Sequence, residues 1–187
     1  MVALVFVMSG SVALIGNQNA GTLSAFTVKP GQAADSIGWL VNRTGQTVTL
    51  ESATVLPLKG FRTPRLLGVA VERWNPKSHG FRDAPTAGAG RGWPPSGLTR
   101  TVALTHYRLE SGGGLRHHTA LIVFGVVSRS AGRFAAAGVT VTVRIGDRLV
   151  QAKSIGPLLF CVTTKQYDVS CSDRGQQQAL RASKAFE

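Results

Sequence analysis

The sequence predicts an all-β protein built as an antiparallel β-sandwich, and three observations support this. Apolar and polar residues alternate with a period of two from Val139 to Ile145, which is typical of a half-buried strand. Gly146-Asp147 then reverses the chain into a second apolar stretch, as in a hairpin. Turn residues recur at short, regular intervals, and no interior segment shows a convincing helical period.

The predicted strands follow one another along most of the chain. They cover residues 23–28, 36–42, 46–58, 66–72, 98–109, 119–127, 139–145 and the stretch that begins at Leu149. Lys29-Pro30-Gly31 ends the first strand as a turn, and a slip in the alternation near Ser52-Ala53 predicts a β-bulge. Seven to eight short strands with this turn spacing indicate an Ig-like sandwich with Greek-key connections.

Residues 73–97 form a long connection without periodicity. This stretch contains four prolines and many glycines, and loops of this length are usually functional or disordered. The glycines of residues 88–92 (GAGRG) predict a flexible linker, because they neither follow a strand nor open a helix as a phosphate-binding loop does.

The 187 residues suit one domain between two peripheral segments. Residues 1–20 carry no charge and predict a signal-like or membrane-anchor segment, which implies an exported, extracytoplasmic protein. The alternative for this segment is a buried first strand or core helix. Residues 21–167 form the predicted sandwich domain, and residues 168–187 form a polar, mildly helical tail.

The charge balance is strongly basic. The chain has 21 Lys and Arg residues against 9 Asp and Glu, which gives a formal charge of +12. Such a positive field attracts polyanions such as nucleic acid, anionic lipid or acidic envelope polymers. The arginine bias could equally reflect a GC-rich genome. Nucleic acid is not expected as the partner, because no RNP, zinc-finger or helix-turn-helix signature is present and an exported protein rarely meets it.

Two cysteines, Cys161 and Cys171, lie near the C-terminus. In an exported protein an even count favours a disulfide, here between the end of the last strand and the tail. The alternative is two unlinked thiols. A metal or redox role is not indicated, since the chain has no C-x-x-C motif.

Three stretches of the chain resemble a known group of proteins. Residues 36–56 (SIGWLVNRTGQTVTLESATVL), with Asn42 ending a strand and Gly45 in the following turn, are similar to the opening strand pair of that group. Residues 120–126 and 138–150 resemble its closing strands. The group consists of uncharacterised Ig-like sandwich proteins of high-GC Gram-positive bacteria, exported or membrane-anchored. The resemblance implies a fold and a location but no activity.

A cluster of basic and aromatic residues between Lys59 and Arg116 is the predicted binding site. Arginine beside exposed aromatic rings is what a surface needs to hold a polyanion. The predicted contacts are Arg62, Arg65, Arg73, Lys77, Arg82 and Arg91, with Trp74 and Trp93 as anchors. The alternative is that the tryptophans pin the long loop to the sandwich while the arginines solvate it.

These features predict a non-enzymatic binding or accessory protein of the cell envelope. Its expected partner is anionic lipid, a wall polymer or an envelope protein. Neither a cofactor nor a catalytic residue is indicated, because no G-x-S-x-G or H-E-x-x-H motif occurs. One alternative is a metal-handling or enzymatic domain that uses His106, His117 and His118. A further alternative is a structural subunit bound through a strand edge.

Overall fold

The computed structural model describes residues 14–16, 24–72, 88–90, 92–94, 101–111, 119–164, 177–179 and 181–182. In this part of the chain, eleven strands form two sheets, which confirms the predicted Ig-like β-sandwich class. The number of strands exceeds the predicted seven to eight. The additional strands are three residues long, which is too short to produce a periodic pattern of apolar residues.

Sheet A has the strand order β1-β3-β9-β5-β7, and β6 also pairs with β3. Its strands are β1 (Leu14–Gly16), β3 (Ala33–Asn42), β5 (Arg65–Glu72), β6 (Gly88–Gly90), β7 (Thr101–Ala103) and β9 (Thr119–Val127). All pairs in this sheet are antiparallel. Leu14–Gly16 of the predicted leader form strand β1, and the signal-like or membrane-anchor role of residues 1–20 stays a prediction.

Sheet B has the order β2-β11-β10-β4-β8. Its strands are β2 (Ser24–Val28), β4 (Val48–Pro57), β8 (Tyr107–Leu109), β10 (Gly132–Ile145) and β11 (Arg148–Val162). The β10–β11 hairpin is the one predicted from the alternating sequence and the Gly146-Asp147 turn. Among the described strands of sheet B, β2 and β11 form the one parallel pair.

The core lies between the inner faces of the two sheets. Sheet A contributes Leu40 and Phe124, and sheet B contributes Leu50, Val141 and Phe160, all fully buried. Phe160 also stacks on Phe134 with ring centroids 5.4 Å apart. The period-2 alternation of the sequence places these side chains on one face of each strand.

Two bulges adjust the register of sheet B. The predicted bulge near Ser52 is confirmed, since the pairing of β4 with β10 shifts between Leu50 and Ser52. The second lies between Ala136 and Gly138. An extra residue in a strand reverses the alternation of faces, so apolar residues face the core again beyond it.

Two predictions about irregular segments are wrong. Gly88–Gly90, predicted as flexible linker, forms β6 against Ala33–Asp35. The stretch 98–109, predicted as one regular segment, is interrupted by a turn in which Tyr107 N donates to Leu104 O and His106 has a φ of 66°. Backbone pairing to a distant strand is invisible in a glycine-rich sequence.

The tail contributes a short helix at 177–179 and 181–182, in agreement with its mildly helical sequence. Ala179 is fully buried and packs with Leu58, Ala135 and Leu159 in a second apolar cluster outside the main core. The helix therefore covers part of the outer face of sheet B. Within the described residues, no helix is long and apolar enough to cross a membrane.

Candidate functional site

Among the described residues, six exposed cations meet at one end of the sandwich, where β3, β5 and β10 begin and β4 and β9 end. They are Lys29, Lys59, Arg62, Arg65, Arg129 and Arg133. Backbone hydrogen bonds join the turns that carry them: Gly31 N donates to Ser128 O at 2.9 Å, and Ala135 N donates to Arg62 O at 3.1 Å. We call this surface the basic end.

The carboxylates of the described residues lie elsewhere. Glu51, Glu72, Glu110 and Asp147 are near the opposite end of the strands, where the cations Arg43, Arg108, Arg144 and Arg148 balance them. There Arg144 Nε donates to Glu51 Oε1 at 2.7 Å. The remaining carboxylate, Asp35, is buried near the basic end. Two further described cations belong to neither group: Lys153 lies in the middle of β11 and Arg181 on the tail helix. Of the two ends of the sandwich, only the basic end has a large excess of described cations over carboxylates.

Arg62 has a structural role as well as a charge. Its guanidinium lies 4.7 Å from the ring centroid of Phe134, and its Nη1 donates to Ala131 O at 3.1 Å. A cation over an aromatic face is attracted by the quadrupole of the ring, and Arg62 keeps its side chain exposed. This contact fixes one positive charge of the basic end relative to the core.

The other five cations of the basic end have no ion pair with a described residue. They are spread over the ends of both sheets: Arg65 and Arg129 adjoin strands of sheet A, whereas Lys59 and Arg133 adjoin strands of sheet B. Such a two-sheet arrangement presents charge over a broad surface. It fits an extended anionic surface better than a single small anion.

A segment of the long connection crosses the outer face of sheet A beside the basic end. It consists of residues 88–90 and 92–94, and we call it the strap. β6 pairs with the start of β3, and Trp93 lies over Gly68 of β5 and Gly125 of β9, which are partners in register. A Cβ on either glycine would overlap the indole ring. The two glycines therefore form the flat seat of Trp93.

Asp35 lies under the strap, in register with Gly88 on one side and Gly125 on the other. It is only 5% exposed, and Gly88 N donates to its Oδ2 at 3.1 Å. Burial raises the pKa of this carboxyl from 3.8 to about 6, and the hydrogen bond from Gly88 opposes the rise. The side chain has no cationic partner among the described residues.

The structure brings together part of the predicted site. Arg62 and Arg65 are both at the basic end, and Trp93 is the seated anchor of the strap, as the alternative prediction of a pinned loop has it. Arg73, Trp74, Lys77, Arg82 and Arg91 lie outside the described residues, so their part in the site remains a prediction.

The disulfide and metal predictions rest partly on residues that are not described. Cys161 is fully buried and is not a free thiol, while Cys171 lies outside the described residues, so their pairing remains a prediction. Among the described residues, no group of three side chains could hold a metal ion. His106 is at the opposite end, with Nδ1 3.7 Å from Glu51 Oε2, and His117 and His118 are not described.

Three cations of the basic end lie outside the predicted cluster: Lys29, Arg129 and Arg133. Lys59 is the first residue of that cluster but was not among the predicted contacts. These four cations are up to about a hundred residues apart in the sequence, and only the return of successive antiparallel strands places them together. The sequence signal that they share is that each lies in or beside a turn between two strands, and these turns are at the same end of the sandwich. Asp35 was also missed, since it falls within a strand rather than a cluster.

The fold defines the class of protein, an Ig-like β-sandwich. No protein-family model and no curated protein matches the chain. Among solved structures, the chain is similar to the ASH/PapD-like domain 7 of human CEP192, with 12% identity and a TM-score of 0.41, over 89% of this chain and 96% of that one. It is also similar to a family 123 glycoside hydrolase from Clostridium perfringens, with 12% identity and a TM-score of 0.35, over 77% of this chain and 23% of the hydrolase.

Proposed function

We propose that this chain is a non-enzymatic binding protein of the cell envelope whose basic end docks on an anionic lipid surface. The observation that carries the proposal is the separation of charge: six exposed cations at one end, facing no exposed described carboxylate. A basic residue near an anionic bilayer contributes about 1 kcal/mol of attraction, so several acting together can hold a protein.

The breadth of the basic end favours a lipid surface over a linear polymer. The cations stand on the ends of both sheets, and facing sheets are about 10 Å apart. A planar array of headgroups can contact all of these positions at once, whereas one linear chain would follow a single row of them. If the protein does not bind vesicles but binds a wall polymer or an envelope protein, that ligand is the partner.

Binding to vesicles tests this function. Full-length protein is mixed with vesicles of equal parts phosphatidylglycerol and phosphatidylcholine, or of phosphatidylcholine alone, and the bound fraction is measured by sedimentation. We expect binding only to the anionic vesicles, and a steep loss of affinity as salt rises to about 0.15 M, where the Debye length is about 8 Å. Absence of binding at low salt refutes the proposal.

A pair of charge-matched variants tests the role of the basic end. Lys59→Gln with Arg129→Gln removes two exposed cations there, and Arg43→Gln with Arg148→Gln removes two from the opposite end. Both variants lose the same net charge. We expect the first to bind the vesicles at least about tenfold more weakly, at about 1 kcal/mol per cation, and the second to change binding little. Equal losses would mean that net charge alone determines binding.

A further inference from the structure

Asp35 is an unusual residue on the outer face of a sheet. Carboxylates are almost never fully buried unless they are paired, yet Asp35 is 5% exposed and accepts a hydrogen bond from Gly88 N at 3.1 Å. Its burial depends on the strap, because β6 lies directly beside it and Trp93 is seated on the neighbouring Gly125. If the strap lifts, the carboxylate regains water.

The described surroundings of Asp35 contain no other titratable group. β6 contributes Gly88, Ala89 and Gly90, and the neighbouring residues of β9 on the same face are Val123 and Val127. Ala33 and Ile37 flank Asp35 on its own strand. The closest described charges by register are those of the basic end, since Ala33 and Arg65 are both partners of Val127.

We propose that Asp35 is a proton sensor that holds the strap on sheet A when neutral, loosens it when charged, and thereby regulates the basic end. The regulatory part rests on the proposed function. Docking of the strap removes water from the carboxylate, so the docked state favours the protonated form. By linkage, protonation of Asp35 must favour docking of the strap by the same factor by which docking favours protonation.

The direction and the pH range of the effect on strap docking follow from the protonation of Asp35 in the docked and the undocked state. The pKa of Asp35 is raised to about 6 when the strap is docked, against 3.8 for a solvated carboxyl. The docking equilibrium is therefore strongest below about pH 4, weakens as pH rises to about 6, and stays weak above it. Between pH 5 and pH 7 the change is about tenfold.

The same proton affects the charge of the basic end. Arg65 is at the level of Ala33 but two strands away, and Asp35 is two residues further along β3. Strand spacings therefore place Asp35 about 12 Å from Arg65. Neutralising one negative charge at this distance strengthens the attraction for an anionic surface. We expect an increase of about threefold in vesicle affinity, after screening by solvent and salt.

Hydrogen exchange of the strap peptides, followed by mass spectrometry, tests the sensor. The full chain and Asp35→Asn are compared at each pH, so that the intrinsic pH dependence of exchange cancels. We expect equal strap exchange near pH 4 and exchange about tenfold or more faster in the wild-type protein at pH 7. Equal exchange at every pH, or slower wild-type exchange at pH 7, overturns the proposal.

Two further variants keep the test decisive. Gly125→Ala removes the seat of Trp93, so the strap should exchange rapidly at all pH values and the pH step should disappear. Replacing His79, His106, His117 and His118 with Gln removes every imidazole of the chain while keeping Asp35, and the step should remain. A step that persists in Gly125→Ala or vanishes without the histidines refutes Asp35 as the sensor.

Vesicle binding at pH 5 and pH 7 tests the coupling to the basic end. With the four histidines replaced by Gln, the protein that keeps Asp35 should bind anionic vesicles about threefold more tightly at pH 5 than at pH 7, and the same protein with Asp35→Asn should bind equally at both. An exchange step without any vesicle binding refutes the proposed function and leaves the sensor in place. Vesicle binding without an exchange step supports the proposed function and refutes the sensor.

Discussion

At the residue scale, the burial of Asp35 has a consequence for stability. Because the folded pKa of this carboxyl lies above its unfolded value, the folded state binds more protons between pH 3.8 and about 6. The contribution of Asp35 to the free energy of unfolding is therefore most favourable below about pH 4 and declines until about pH 6.

Asp35→Asn should remove this penalty. We expect the variant to raise the free energy of unfolding at pH 7 by about 1 to 2 kcal/mol, a value discounted for residual solvent access. Its advantage should shrink towards zero as pH falls to about 4. Urea denaturation at pH 4, 5 and 7 measures this, and a variant less stable than wild type at pH 7 would contradict it.

Asn42 shows how one buried amide can organise a loop. It is 2% exposed, and its Nδ2 lies within hydrogen-bonding distance of Gln46 O, Leu109 O and Glu110 O, at 2.8 to 3.0 Å. Its Oδ1 accepts from Thr44 N and Thr44 Oγ1. Asn42-Arg43-Thr44 matches a glycosylation sequon, but the amide nitrogen is already engaged within the fold.

Asn42→Ala should destabilise the protein substantially. It leaves the backbone carbonyls of Leu109 and Glu110 without this donor, and each lost partner of a buried polar group costs about 1 to 3 kcal/mol. We expect a loss of about 2 to 4 kcal/mol in the free energy of unfolding. Thr44→Ala, which removes only a hydroxyl from the same network, is the milder control, and equal losses in both variants would contradict this role of the amide.

At the scale of elements, strands β3 and β11 come together where the two sheets meet. A Cβ on Gly156 of β11 would overlap Ile37 O, and one on Gly38 of β3 would lie 2.8 Å from Ile155 O. Ile37 O and Ile155 O are backbone atoms, which cannot rotate away, and a Cβ on Gly38 would also overlap Ser154 Oγ. The two glycines therefore permit the close approach of sheet A and sheet B along this side.

Gly156→Ala should be among the more damaging single substitutions in the chain. Overpacking usually costs about 1 to 3 kcal/mol, and obstruction by backbone atoms of Ile37 and Gly38 places this site at the upper end. Gly92→Ala is the control, because nothing lies within 4 Å of its Cβ position and no positive φ is involved. Thermal unfolding of both variants measures the difference, and similar melting temperatures would refute the close contact.

At the scale of the whole molecule, the basic end and the entry of the chain are at opposite ends. Leu14 of β1 pairs with Asn42, the last residue of β3, whereas Lys29 precedes the first residue of that strand. The 10 residues of β3 span about 30 Å. The described chain thus carries its positive charge well away from the point at which β1 joins the sheet.

Docking through the basic end predicts an upright orientation on a bilayer. A fluorophore attached at Ser130→Cys lies at the basic end, and one at Asp147→Cys lies at the opposite end of the 14-residue strand β10. We expect energy transfer to an acceptor in anionic vesicles to be much stronger from position 130, because strands of this length separate the labels by about 40 Å. Equal transfer from both positions would refute end-on docking.

The sequence by itself determined the local structure and the overall charge. Alternation in β10 and β11, the turn at Gly146-Asp147 and the bulge near Ser52 all follow from neighbouring residues, so they could be predicted. The excess of basic residues and the candidates Arg62, Arg65 and Trp93 were visible for the same reason. The three-residue strands were not, because their existence depends on a distant partner strand rather than on a periodic pattern.

Only the tertiary structure decided where the charges meet and what covers Asp35. Lys29, Lys59 and Arg129 converge because antiparallel strands return the chain repeatedly to the same end of the sandwich. The seat of Trp93 needs Gly68 and Gly125 side by side, which is a matter of register between β5 and β9. Burial of a carboxylate within an ordinary-looking strand likewise depends on a strap that arrives from more than fifty residues away, and pairing over that distance leaves no local pattern.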